Sequence, residues 1–257
     1  EIISGIGSPG QINPPKGSEI IDATGLFLLP GLIDDQVHFR EPGLTHKGDI
    51  FSESRAAAAG GITSFMEMPN TVPQTITIDA LNDKYRLGSE SSLINYSFLI
   101  GATNDNLDEV LKADPADVCA IKVFMGSSTG NMLVDDKKSL HDLFRRAHMP
   151  LCAHCEDEPI IKRNSEAYFK QYGDEVPFSM HPLIRSREAC YTSSSYAVSL
   201  AKEYNTRLHI FHLSTADEMK LFSNELPLND KRITAEVCVH HLWFDDTDYE
   251  KYGSHIK

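Results

Sequence analysis

The chain has 257 residues, 41% of them hydrophobic and 24% charged, with a formal net charge of −13. That length suits one large α/β domain or two smaller ones, and the apolar share is that of a folded globular protein rather than a disordered one. No run approaches the roughly 18–20 apolar residues of a membrane span, no secretory leader pattern opens the chain, and the acidic balance argues against nucleic acid as a partner.

Residues 1–29 hold short β-type runs at 1–3, 19–22 and 26–29, broken by Gly and by the loop Pro14-Pro15-Lys16-Gly17. They read as part of a small β-rich domain. From residue 30 to 257 the pattern changes. Apolar strand-like runs recur at 32–37, 63–68, 94–100, 119–124, 150–153, 208–213 and 233–237. Helix-like stretches lie between most of them, at 52–59, 79–87, 107–113, 139–147, 188–204 and 216–222. Strands alternating with helices predict an α/β fold with a parallel sheet and helical crossovers. Seven such steps point to a (β/α)8 TIM-type barrel rather than a doubly wound sheet, incomplete at the C-terminus. The chain starts without Met and stops at Ile256-Lys257 with no closing element, so a piece of a longer protein is expected.

A barrel demands that its chemistry sit at the C-terminal ends of several strands. The first strand runs into Val37-His38-Phe39-Arg40-Glu41-Pro42-Gly43, where His38 is either structural or a ligand. Arg40 suits a bidentate grip on a carboxylate. The second ends in Met68-Pro69-Asn70-Thr71, where Asn70 is a turn residue or a rim amide. The fourth carries Lys122 between apolar neighbours. Burial would favour its neutral amine, which can add carbon dioxide to become a carbamate, an anionic ligand able to bridge two metal ions. A snorkelling lysine is the plainer alternative. The fifth ends in Ala153-His154-Cys155-Glu156. The sixth holds His209 and His212, three apart, so strand alternation lets one point inward. His212 is nearer the rim, with Thr215-x-x-Glu218 after it as a capping box, and is the chosen ligand. Each signal is weak alone. Together, potential ligands at strand ends one, four, five and six form a set suited to zinc.

Five cysteines at 119, 152, 155, 190 and 238 show no disulfide framework and read as reduced thiols of a cytoplasmic protein. Cys152 and Cys155 form a C-x-x-C, but on a strand they face opposite sides, which favours core packing over a shared ion.

The strings Pro30-Gly31-Leu32-Ile33-Asp34, VHFREPG at 37–43, AAAGGIT at 57–63, MPNT at 68–71, Ile121–Met125, His212-Leu213-Ser214 and EVCVHHL at 236–242 resemble the cyclic-amidohydrolase family, and most nearly its longer, bacterial-type dihydroorotases. VHFREPG is shared with allantoinases, whereas hydantoinases usually lack REPG. The resemblance implies a distorted barrel flanked by a small β-domain built from both chain ends. It also implies one or two zinc ions, a carbamate on Lys122 bridging them, His154 and His212 at one site, and His38 at the other. Arg40 and Asn70 would hold the substrate carboxylate. His240 and His241 match no ligand position and read as structural. The implied reaction interconverts N-carbamoyl-L-aspartate and dihydroorotate in pyrimidine biosynthesis, with a small-molecule substrate and a homo-oligomeric enzyme.

Two departures stand out. Gln36 occupies the place of the pair's first histidine, and an amide carbonyl is a poorer zinc ligand than imidazole. The family's catalytic aspartate follows an eighth strand, beyond Lys257, so the catalytic residue is unknown here. An allantoinase or hydantoinase-like cyclic amidase is the alternative of the same class, and a non-catalytic scaffold the alternative of another.

Overall fold

The computed structural model describes residues 2–8, 10–126 and 130–256. Backbone contacts divide the chain into two units, Glu1–Gly31 and Leu32–Lys257.

The first unit is irregular. The predicted runs at 19–22 and 26–29 form no strand, and neither do the described residues of the run at 1–3, whose Glu1 lies outside the described set. Local bonds organise it, such as the Thr24 amide and hydroxyl on Asp22 and the Leu26 amide on the Ala23 carbonyl. Ile2, Ile20, Ile21, Phe27 and Leu28 are exposed. β-propensity alone does not make a strand, because a strand exists only through the ladder it shares with a neighbour.

The second unit is built on parallel strands: β1 (Leu32–Val37), β2 (Ile62–Glu67), β3 (Asn95–Phe98), β4 (Ile100–Gly101), β5 (Ile121–Phe124), β6 (Leu151–His154), β7 (Leu208–Ile210) and β8 (Ile233–Ala235). They pair in chain order as β1-β2-β3 and β4-β5-β6-β7-β8. β3 and β4 are one run broken at Leu99, whose amide still bonds to Glu67 while Ile100 turns to Ala120. Seven predicted strands thus appear as seven rungs, with helices crossing between them.

The long helices begin where short polar side chains can accept an orphan amide. Asp49 caps Ile50–Ala59, Thr77 caps Ile78–Ser91, Asp136 caps Lys137–Arg146 and Ser186 caps Arg187–Tyr204. A further 15-residue helix, Glu158–Tyr172, capped by Asp157, was absent from the predicted set. Ile160 is its one buried residue, so it lacks the apolar stripe that marks a helix. The predicted helix at 216–222 is only a 3-10 turn, Glu218–Leu221. The Thr215 hydroxyl donates to the Glu218 carboxylate instead of forming a capping box.

Two cores result. The larger lies between strands and helices and includes Val37, Phe39, Phe65, Phe98, Ile121, Val123, Ala153 and Leu208. A small one lies on the opposite strand faces, from Met68, Leu99, Ala120, Cys152 and Phe211. Cys155 belongs to the larger core and Cys152 to the smaller, so the two thiols do face opposite sides.

One ion pair is sealed inside. Lys84 and Glu67 are each 1% exposed, and Lys84 Nζ also donates to the Met68 carbonyl at 2.8 Å. Replacing Lys84 alone by Met strands the carboxylate, and a loss of about 3–5 kcal/mol in unfolding free energy is expected. The double replacement Lys84→Met with Glu67→Leu should recover most of that loss. Denaturant titrations of the three proteins check this; equal losses in single and double variants would contradict it.

Candidate metal centre

Lys122, Cys152, His209 and Thr234 are register partners across β5 to β8, so they form one layer of the sheet. Cys152 lies in the small inner core, which places Lys122 on the inner face as well. Its side chain is 1% exposed, and its Nζ stands 4.5 Å from the Phe124 ring centre and 4.2 Å from that of Phe211. Unlike Lys84, it forms no ion pair with a carboxylate among the described residues. Burial pulls its ammonium down to about 7, against the opposing pull of Cys152, Cys155 and Glu236.

His154 closes β6. His212 lies two residues beyond the end of β7, with a left-handed φ of 40°. Plain alternation would send His209 and Phe211 inward and His212 outward. The left-handed turn instead brings His212 Nε2 to 3.0 Å from His154 Nδ1. His209 is also engaged, with Nδ1 2.8 Å from the Thr234 hydroxyl and Nε2 3.3 Å from Glu236. Left-handed backbone at a bulky residue is strained, and such strain gathers at functional sites.

Two residues outside the sequence-based set organise His154. Its Nε2 lies 2.7 Å from Glu156 Oε2, and Glu156 also accepts from Arg185 Nε at 2.7 Å and from the second Arg185 nitrogen. Burial alone would raise the Glu156 carboxyl, but the bonds from His154 and Arg185 hold it down at about 2. A carboxylate can only accept, so His154 donates through Nε2 and keeps the Nδ1 lone pair toward His212. Burial pushes His154 below its ordinary value, and His212 to about 2, where a proton on His212 would also be repelled by one on His154 and by the Lys122 ammonium. Both rings are therefore neutral at pH 7. Two facing nitrogens at 3.0 Å need a proton or a cation between them, and on one tetrahedral zinc they would be about 3.3 Å apart. The donor set fits that ion, and the buried amine beside it fits an anionic ligand formed in place.

His38, just past β1, is held to about 3 by burial and by the charges of Arg40 and Lys122, against a weaker opposing effect of Asn70. Asn70 Oδ1 is buried and has no hydrogen-bond partner among the described residues. Arg40 adopts a left-handed φ of 73°. Its loop is locked to the Asn70 loop: Val72 donates to the Pro42 carbonyl at 3.1 Å, and Gly43, at φ 80°, lies so close that a Cβ would strike the Val72 carbonyl. Gln36 does not join His38; its Oε1 accepts from the Cys238 thiol at 3.7 Å.

Of the six sequence-predicted residues, His38, Arg40, Asn70 and His212 follow the C-terminal ends of their strands, His154 is the last residue of β6, and Lys122 lies within β5. His154, His212 and Lys122 are drawn together, and His38 feels the Lys122 charge. A cavity of about 710 Å³ opens elsewhere, at the N-terminal ends of β6 to β8, and none of the six lines it.

Glu156→Gln tests the support of His154. An amide cannot take the place of a carboxylate between His154 and Arg185, and loss of such a partner costs about 10–100-fold in metal affinity. Zinc titration against a competing chelator reads it. The depressed Glu156 carboxyl also stabilises the fold above its free value of 4.5, and that share is lost as pH falls from there toward about 2. The acid limb of a stability–pH curve should be shallower in the variant; an unchanged limb contradicts the assignment.

The family described as Dihydro-orotase-like matches residues 25–218. A dihydroorotase from Methanothermobacter thermautotrophicus is 34% identical over 97% of this chain and 54% of that protein. An allantoinase from Deinococcus radiodurans is 31% identical over 93% of this chain and 54% of that protein. The solved L-hydantoinase (dihydropyrimidinase) from Arthrobacter aurescens superposes with a TM-score of 0.85 at 26% identity, over 92% of this chain and 53% of the other. The chain thus spans about half the length of the curated relatives it matches. With parallel strands carrying a histidine pair at their C-terminal ends and a buried lysine one layer below, the chain belongs to the dihydro-orotase-like family.

Proposed function

We propose that this chain carries the metal centre of a zinc-dependent dihydroorotase, the enzyme that interconverts N-carbamoyl-L-aspartate and dihydroorotate. The observation that carries the reading is the juxtaposition of two neutral imidazoles, 3.0 Å apart, with a fully buried lysine that has no carboxylate partner among the described residues. The Lys122 amine adds to the carbon of carbon dioxide and loses a proton, leaving a carbamate whose charge the metal answers. His154 and His212 hold one ion, and His38 stands at the second position. Zinc, when bound, brings the pKa of water to about 7 and polarises the amide carbonyl. Arg40 supplies a forked cation for the substrate carboxylate, and Asn70, whose buried Oδ1 has no hydrogen-bond partner among the described residues, offers its amide N–H to the same group. Glu156 and Arg185 fix the His154 ring.

The same reading takes residues 1–29 as part of a small β-rich domain and the rest as a (β/α)8 barrel. It takes the whole enzyme as a cytoplasmic homo-oligomer in pyrimidine biosynthesis. The relative from Deinococcus radiodurans supports an allantoinase as a second reading. Full-length, zinc-loaded protein should turn over dihydroorotate in preference to allantoin and dihydrouracil; no turnover of dihydroorotate would sink the proposal. Absence of zinc together with an unmodified Lys122 would favour the scaffold reading.

Two variants sharpen the test. Lys122→Ala should lose bound zinc and turnover together, read by metal analysis and by the ring-opening assay. Arg40→Ala removes charged hydrogen bonds worth about 1.5–3 kcal/mol, so kcat/KM for dihydroorotate should fall roughly 10–100-fold. A substrate without a carboxylate, such as dihydrouracil, should be far less affected. Equal losses on both substrates would remove Arg40 from the carboxylate site.

A further inference from the structure

The seam between the C-terminal ends of β1 and β8 carries a second set of side chains that the centre above does not use. Cys238, His240 and His241 each offer one ligand atom, and the three atoms lie within 4.8 Å of one another. The two imidazoles sit 4.4 Å apart at 75°. His241 Nδ1 is 3.2 Å from the Leu213 carbonyl. A carbonyl only accepts, so Nδ1 carries the proton and Nε2 keeps its lone pair. A backbone acceptor on the far nitrogen is the usual way a ligating histidine is oriented. Cys238 donates to Gln36 Oε1; burial first, then the carboxylates of Glu236, Asp34 and Asp35, push its thiol up, and those same negative charges favour a cation beside it.

We propose that Cys238, His240 and His241 form a distinct site for zinc or another borderline-soft divalent ion. One thiolate and two imidazoles suit that class, with ligand atoms about 3.5 Å apart on a tetrahedral ion. Cys238 releases its S–H proton to solvent as the metal–sulfur bond forms. Gln36 Oε1 then loses its donor and is left with a free lone pair toward the fourth position. Gln36 is on this reading the neighbour of a thiolate ion site, not a defective histidine of the other centre. The inference does not depend on the activity proposed above.

Cobalt(II) is the probe, because only a thiolate ligand gives it a strong sulfur-to-metal charge-transfer band in the near ultraviolet. The full-length protein titrated with cobalt should show that band. It should vanish in Cys238→Ser, weaken or shift in His241→Ala, and persist in Cys152→Ser. Absence of the band from the unsubstituted protein, or its survival unchanged in Cys238→Ser, overturns the site. Loss in Cys152→Ser instead also overturns it, since the thiolate would then lie beside Lys122.

Discussion

An ammonium ion in an apolar interior is one of the most expensive things a fold can hold, and Lys122 is in that position on the inner face of β5. Lys84 meets the same cost in the ordinary way, with Glu67 against it. Lys122 meets it with two aromatic faces and a lowered basicity. The surrounding architecture follows from keeping that amine dry and reachable. Parallel strands pack one residue type against the helices and the other inward, so the amine is enclosed. It also lies one residue layer below the strand tips, where loops can bring imidazoles to it.

Much of this was legible in the chain. Seven strands could be read because each is a short apolar run closed by a turn. Five of the helix-like stretches coincide with helices, four of them long and each of those four opened by a capping side chain. The helix Glu158–Tyr172 could not, since with one buried residue its sequence looks like solvent-facing coil. Its Asp157-Glu158-Pro159 start was the available signal. The described residues of the runs before residue 30 form no strand, since composition favours one there but pairing is a property of two segments.

The candidate site divides in the same way. Lys122 stands out as a charged residue between apolar neighbours inside a strand, and His154 and His212 as polar residues at strand ends. The positions of Glu156 and Arg185 could not be read, since Arg185 reaches Glu156 from 29 residues away, from the end of the short helical turn His181–Ile184. His212 was placed by its nearness to the rim, whereas its inward turn depends on a backbone angle that no periodicity reports.

Gly43 against Val72 has a mechanical consequence. The loops after β1 and β2 are fastened by the Val72 amide on the Pro42 carbonyl and by Gly43 packed directly on Val72. Arg40 and Asn70 are carried on what amounts to one rigid bracket. On the proposed reading, a carboxylate docking there would meet partners already in position, so little conformational entropy would be spent on capture.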